Sequence, residues 1–303
     1  MTALWRLSVK VAITEKVLAR VFINRIFALA IGMEQPPKSI HREMLRPFFN
    51  LSAILAAFLT NVLANVAPIN GRTIGDIANT TFAGVLVIPA NYAFAIWGLI
   101  YVGLIGFGIY QFLPPGLRSP RLHRMGYWLI VASLAQIVWV FLFQFQQFVL
   151  SFMAMLAILV SLIAIYWRLD IGGDRISLRQ RWLCDYPLSL YLGWISVATI
   201  VNGATTLYAV GWNGWGLSPQ VWTIAMLAVA GAIGAVITLQ RDDPVFPLVL
   251  IWAFVAISVR QGDRATISMT AIGLAIAIGL LWLLARLRRQ LSSQTSDRQH
   301  NQS

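Results

Sequence analysis

The sequence has long windows without any charged residue, and it has very little cysteine or histidine. Its single cysteine, Cys184, excludes an internal disulfide and a cysteine-rich metal site. The histidines His41, His123 and His300 all lie outside the uncharged windows, so a helical histidine pair that holds zinc is excluded. Asp, Glu, Lys and Arg are absent from residues 47–71, 77–117, 125–167, 186–240, 244–259 and 265–285.

These windows are long enough to hold one or two membrane-crossing helices each. Hydrophobic residues make up 58% of the chain and charged residues 11%, which is typical of an integral membrane protein. Buried carboxylates that relay protons or catalyse hydrolysis inside the bilayer are lacking, so we predict that the protein is not an enzyme. The sequence predicts an all-α, multi-pass bundle of about eight transmembrane helices over residues 50–69, 90–113, 126–145, 148–167, 188–208, 220–240, 244–259 and 266–285.

The basic residues predict the orientation of these spans. With the N-terminus in the cytoplasm, every Lys and Arg except Arg72, Arg260 and Arg264 lies on the cytoplasmic side, as the positive-inside rule requires. The seventh span is short, and a re-entrant segment is the alternative, but removing this crossing would place the basic C-terminal segment outside. Both termini are therefore expected in the cytoplasm. The net charge of +12 indicates contact with membrane lipids and not with nucleic acid.

The spans divide the chain into four regions. Residues 1–48 form a basic segment whose apolar and basic residues alternate as in an amphipathic helix on the membrane surface. An alternative is that translation begins at Met33 or Met44. A five-helix membrane domain is expected over 49–209, a three-helix extension over 210–289, and a polar, disordered cytoplasmic tail over 290–303. Small residues in the sixth and eighth spans suggest close helix packing or a homodimer.

Uncharged polar and aromatic side chains cluster in the first, third and fifth spans. Asn61 and Asn65 lie one turn apart, and Gln136 precedes Trp139 and Phe143. In the fifth span Tyr191, Trp194, Ala198 and Asn202 follow one helical stripe. Such a stripe faces protein and not lipid, and two interpretations remain open. The side chains either hydrogen-bond between helices, or they line a ligand site.

The segment from Pro89 to Tyr101 resembles the signature of the TspO/MBR family, the tryptophan-rich sensory proteins related to the mitochondrial translocator protein. Trp97 and Tyr101 match its Trp-x-x-x-Tyr element at the start of the second helix. The stretch from Gln136 to Phe143 looks like the family's third helix, and the stretch from Asp185 to Asn202 looks like its fifth. The resemblance covers residues 50–208 and leaves the last three spans without a counterpart.

The resemblance implies a five-helix bundle that binds a tetrapyrrole, a sterol or another flat apolar molecule without covalent chemistry. A porphyrin or haem-type ligand is therefore expected, with a role in stress signalling or tetrapyrrole handling. The alternatives are a passive or secondary transporter of a small uncharged solute and a scaffold without ligand. The expected ligand-binding residues are Tyr92, Phe94, Trp97, Tyr101, Gln136, Trp139, Phe143, Tyr191, Trp194 and Asn202, with Asn61 or Asn65 supplying an amide.

Overall fold

The computed structural model describes residues 38–173 and 176–300, and its side chains over 44–173 and 176–291. The contacts reported below lie within the compact unit of residues 46–303. We label the eight long helices of the described residues in chain order. They are α1 (Lys38–Val66), α2 (Ile96–Tyr110), α3 (Trp128–Gln144), α4 (Phe148–Arg168), α5 (Tyr186–Ala209), α6 (Pro219–Gln240), α7 (Val245–Arg260) and α8 (Ala265–His300).

All eight predicted spans are helical, because uninterrupted apolar sequence in a membrane satisfies its backbone only within a helix. Among the described residues, six helical stretches are long and apolar enough to cross a bilayer, α2 being counted together with the 3-10 turn before it as Asn91–Tyr110. The chain is a multi-pass integral membrane protein. The two shorter apolar helices are α3, with 17 residues, and α7, with 16 residues. Short helical turns occupy the connections, including the helix Ile74–Thr80, a 3-10 turn at Asn91–Ala95 before α2, and a π-turn at Arg181–Asp185 before α5.

The helix boundaries differ from the prediction at both ends of the bundle. α1 begins at Lys38, before the uncharged window, and contains Pro47. α8 continues as a helix to His300, where the sequence predicted a disordered tail. The polar segment after Ala285 contains neither glycine nor proline, so nothing in it stops the helix. Most of the predicted amphipathic segment lies outside the described residues, and residues 38–48 form the first turns of α1.

α5 lies at the centre of the bundle, where it packs against α2, α4 and α7. Gly193 brings α5 close to α7, because a Cβ atom there would lie 3.0 Å from Cβ of Val249. α6, α7 and α8 pack on one another. Gly231 and Gly234 of α6 face Leu274 of α8 and Leu250 of α7, so these small residues serve packing within the chain.

One end of the bundle, which we call the charged end, carries buried ion pairs and carboxylates. Arg121 donates from both terminal nitrogens to the Asp185 carboxylate, at 2.7 and 3.0 Å. Asp243 accepts hydrogen bonds from the hydroxyls of Tyr166 and Ser189, at 2.9 and 2.5 Å. Because Asp243 directly precedes α7, these bonds fix the start of α7 at the charged end.

The opposite end, which we call the loop end, carries the connections of residues 67–95, 145–147, 210–218 and 261–264. Arg260, the last residue of α7, donates to the carbonyl oxygen of Pro89 in the first of these connections, at 3.4 Å. α7 therefore runs as one continuous helix from the charged end to the loop end. This path agrees with the predicted crossing and not with the re-entrant alternative.

Candidate functional site: a tryptophan cavity

A cavity of about 490 Å³ opens between α1, α2, α3, α4 and α5 near the loop end. Three tryptophans from three different helices line it: Trp97 of α2, Trp139 of α3 and Trp194 of α5. Trp139 and Trp194 are buried, with 8% and 2% of their surface exposed. We call this space the tryptophan cavity. It lies where the second, third and fifth helices converge, and Trp97 is half-buried.

The aromatic walls are held by ring contacts. Trp139 stacks on Phe143 one turn later, with ring centres 5.3 Å apart and planes at 29°. Phe94 meets Trp194 edge to face at 5.9 Å. Offset stacking and edge-to-face contact are the favoured geometries for aromatic pairs, so the rings are set in fixed positions around the cavity.

Asn202 joins three helices at the cavity wall. Its side-chain oxygen accepts a hydrogen bond from the indole N–H of Trp139 at 3.0 Å, and its amide nitrogen donates to the Ser151 hydroxyl at 3.3 Å. The interpretation of these residues as hydrogen-bonded links between helices therefore holds for Trp139 and Asn202. Both residues also line the cavity, so the two interpretations of the polar stripe apply together.

Eight of the twelve predicted site residues line the cavity, and these are Asn61, Asn65, Phe94, Trp97, Trp139, Phe143, Trp194 and Asn202. Tyr101, Gln136 and Tyr191 lie one layer deeper, toward the charged end. The Tyr191 hydroxyl donates to Gln136 at 3.4 Å, and the Tyr101 hydroxyl donates to the Ala57 carbonyl oxygen at 3.2 Å. These three side chains form a polar floor under the rings and do not line the cavity.

Tyr92 was expected beside Phe94 and Trp97, and the structure places it elsewhere. Its ring meets Trp252 of α7 at 5.2 Å and is 42% exposed. Tyr92 lies five residues before Trp97, a separation that places two side chains on different faces of a helix, and the 3-10 turn at Asn91–Ala95 does not bring them together.

The residues 73–93 cover the mouth of the cavity, and we call them the lid. The lid residues that line the cavity from this side are Thr73, Ile74, Gly75, Asp76, Ala78, Asn79, Ile88, Pro89 and Asn91. The lid helix Ile74–Thr80 begins with a capping box, in which Thr73 and Asp76 bond each other's backbone N–H. Hydrogen bonds from the Thr73 hydroxyl and backbone N–H lower the pKa of the Asp76 carboxyl, which is therefore ionised at neutral pH.

The polar groups of the cavity are uncharged apart from Asp76. Asn61, Asn65, Asn79 and Asn91 bring amides to the loop end of the cavity, where Asn79 donates to Asn91 at 3.0 Å. No Lys or Arg is among the described residues that line the cavity. In the described part of the chain no cluster of His, Cys, Asp and Glu is suited to a metal ion. The arrangement suits a ligand that is mostly apolar, with polar groups at one end that can form hydrogen bonds with these amides.

A family model described as TSPO-like protein matches residues 47–284, which is more than half of the chain. The chain belongs to this TSPO-like family. The match continues through α6 and α7 into α8, beyond residues 50–208 to which the motifs limited the resemblance. Searches of curated proteins and of solved structures gave no match.

Sequence reasoning missed several residues of the cavity in this TSPO-like protein. Met155 of α4 lines the cavity but lies in a uniformly apolar helix, so no pattern in the sequence distinguishes it. Asp76 and Asn79 lie in a connection that the sequence left without secondary structure. The Thr73-x-x-Asp76 spacing is a capping-box pattern that could have revealed the short lid helix.

A second, smaller cavity of about 210 Å³ lies at the loop end of the TSPO-like bundle. It is bounded by lid residues 84–87, by Tyr208 at the end of α5, and by Trp212 and Trp222 before and within α6. The rings of Trp212 and Trp222 lie 4.9 Å apart. Aromatic side chains near the ends of membrane helices are typical of an interfacial belt.

Proposed function

We propose that this TSPO-like protein is a membrane receptor that binds a flat apolar ligand, a tetrapyrrole or a sterol-like molecule, in the tryptophan cavity. The observation that carries the proposal is the convergence of Trp97, Trp139 and Trp194 on one cavity of about 490 Å³. Pockets for small molecules have roughly 300–1,000 Å³ and are mostly apolar with a few placed polar groups. The cavity has this size and this composition.

The arrangement of the walls supports a flat ligand. The rings of Trp139 and Phe143 stack on each other on α3, so the ring pair can present one flat aromatic face to a ligand. Trp194 lies in the first half of α5 and closes the deep side together with Met155. A conjugated or fused-ring ligand gains stacking and apolar burial against such walls, and no covalent step is needed.

The polar groups set the direction of the ligand. The amides of Asn61, Asn79 and Asn91 lie at the loop end, and each can donate and accept a hydrogen bond. The ligand's polar group would therefore lie under the lid, with its apolar body toward Trp194. A ligand bound in this orientation would contact the lid. In a sensor of stress-linked tetrapyrroles, the lid would be the surface through which a partner protein detects the bound ligand.

The proposal is tested by titrating the purified protein in lipid nanodiscs with protoporphyrin IX and with cholesterol. We expect saturable quenching of tryptophan fluorescence by protoporphyrin IX, and Trp194→Leu should weaken its binding roughly tenfold because an aromatic wall is lost. Trp182→Leu is the matched control, since Trp182 is 67% exposed at the charged end and does not line the cavity.

A ligand that selects the folded protein must also raise its thermal stability, by about 2.7 kcal/mol at a concentration of 100 times the dissociation constant. Equal affinities of the wild type and Trp194→Leu would contradict the proposed site. Uptake of a solute into proteoliposomes without saturable binding would favour the transporter predicted as the alternative.

A further inference from the structure

The lid is anchored on two sides. Phe82, in the middle of the lid, is fully buried and meets Phe148 of α4 edge to face at 4.7 Å. It also contacts the Tyr208 ring of α5 at 6.1 Å. The first anchor is therefore a ring cluster contributed by helices of the five-helix bundle.

The second anchor is α7, which contacts the lid between residues 79 and 93. The Gln261 side chain donates to the Leu86 carbonyl oxygen at 2.9 Å, and the Ala256 carbonyl oxygen accepts from the Ala90 N–H at 3.0 Å. At the end of the lid, the Trp252 indole N–H donates to the Ala93 carbonyl oxygen at 3.2 Å.

Arg260 connects this anchor directly to the cavity. One of its terminal nitrogens donates to the Asn79 side-chain oxygen at 2.8 Å and to the Pro89 carbonyl oxygen at 3.4 Å. Both acceptors belong to residues that line the tryptophan cavity. Asn79 and Pro89 come from the two halves of the lid, so a single guanidinium holds the halves together over the mouth.

α7 is itself fixed and can serve as a rigid support. Its residues Val249, Ala253, Phe254 and Ile257 are buried, with at most 2% of their surface exposed. It packs on α5, which carries Trp194 and Asn202 of the cavity wall. The lid is thus connected through α7 to the same helix that forms the deep wall of the cavity.

We infer that α7 holds the lid closed over the tryptophan cavity, with Arg260 and Gln261 as positioning residues that control access to the site. The C-terminal helices thereby have a role in ligand access, and this role in access rests on the proposed function. Segments held by few hydrogen bonds open locally more often, so the lid should open more often when these side chains are removed.

The first experiment needs no ligand. Hydrogen–deuterium exchange is measured on the lid in nanodiscs for the wild type, Arg260→Met and Gln261→Leu. We expect backbone exchange over residues 79–93 to become roughly tenfold faster in each variant, since each loses one or two hydrogen bonds that hold the closed lid. Exchange over residues 169–173, at the charged end, should not change.

Arg264→Met is the matched control. Arg264 lies in the connection after α7, is exposed, and its replacement changes the net charge by the same amount as Arg260→Met. The lid of the Arg264→Met variant should exchange at the same rate as the lid of the wild type. Lid exchange that is unchanged in both Arg260→Met and Gln261→Leu would overturn the inference, and so would an equal increase in Arg264→Met.

The second experiment measures the dissociation rate of protoporphyrin IX from the same variants. We expect Arg260→Met to release it roughly tenfold faster than Arg264→Met. If lid exchange becomes faster in Arg260→Met but the dissociation rate of protoporphyrin IX does not change, the inference that Arg260 controls access to the site is overturned. A wild-type protein that does not bind protoporphyrin IX would count against the proposed function, while the exchange experiment would still decide whether α7 holds the lid.

Discussion

The ion pair between Arg121 and Asp185 allows a quantitative prediction about the start of α5. Only 8% and 5% of the two side chains are exposed, and the guanidinium forms two parallel bonds with the carboxylate. A third bond runs from Nε of Arg121 to the Leu169 carbonyl oxygen at 2.8 Å. This geometry satisfies the carboxylate at the point where the helix of Trp194 begins.

Arg121→Met leaves the Asp185 carboxylate buried without its countercharge. Two unit charges about 4 Å apart interact by roughly 4 kcal/mol at an effective dielectric constant of about 20. Breaking a buried pair by removing one partner costs roughly 3–5 kcal/mol, which agrees with this value. The expected loss of unfolding free energy is therefore about 4 kcal/mol.

The assay is unfolding in mixed detergent micelles, followed by tryptophan fluorescence, for Arg121→Met, Asp185→Leu and the double variant. The double variant should regain most of the loss, because replacing both ions with apolar groups removes the unpaired charge. Arg118→Met is the control, since Arg118 is exposed in the same connection and should change stability by less than about 0.5 kcal/mol. A loss below about 1 kcal/mol in Arg121→Met, or a double variant no more stable than it, would refute the reasoning.

Three further predictions concern the cavity, the lid and the C-terminal helices. Asn202→Leu leaves the indole N–H of Trp139 without its acceptor and should lower the unfolding free energy by roughly 1–3 kcal/mol, measured by the same assay. The depressed pKa of Asp76 stabilises the lid helix at pH values above the unfolded pKa of about 3.9, and this contribution is lost as the pH falls through the folded pKa. The protection of the helix against hydrogen exchange, measured relative to the intrinsic exchange rate at each pH, should therefore fall in acid, and Asp76→Asn should remove that dependence. Gly234→Leu inserts a side chain against methyl groups of α7 and α8 and should cost roughly 1–3 kcal/mol in thermal unfolding, whereas Gly273→Leu, with open space at its Cβ position, should not.

The membrane helices were predictable because charge marks their limits. Each uncharged window ends at a charged residue or at a turn, and the observed helices α3 to α7 begin and end within two residues of the predicted spans. The stripe of Tyr191, Trp194 and Asn202 was readable because α5 is regular and central. The end of α8 could not be predicted in the same way, because the continuation of a polar helix depends on the absence of a stop signal and not on hydropathy.

The depth of the site residues could not be read from the sequence. Trp97 and Tyr101 are one turn apart and stack at 5.6 Å, but only Trp97 reaches the cavity. Spacing along a helix predicts which side chains share a face, whereas the packing of other helices decides at which level the cavity lies. Tyr92 contacts Trp252 of α7, which lies outside the five-helix pattern, so its position required the structure.

The lengths of α3 and α7 have a consequence for the membrane in which the protein resides. At 1.5 Å per residue, the 17 residues of α3 and the 16 residues of α7 measure only about 24–26 Å, against about 30 Å for an average hydrocarbon core. Longer neighbours can tilt, whereas a short helix favours lipid that is locally thinner around it. A thin bilayer should therefore match α3 and α7 better than a thick, sterol-rich one, and α7 is the helix that contacts the lid.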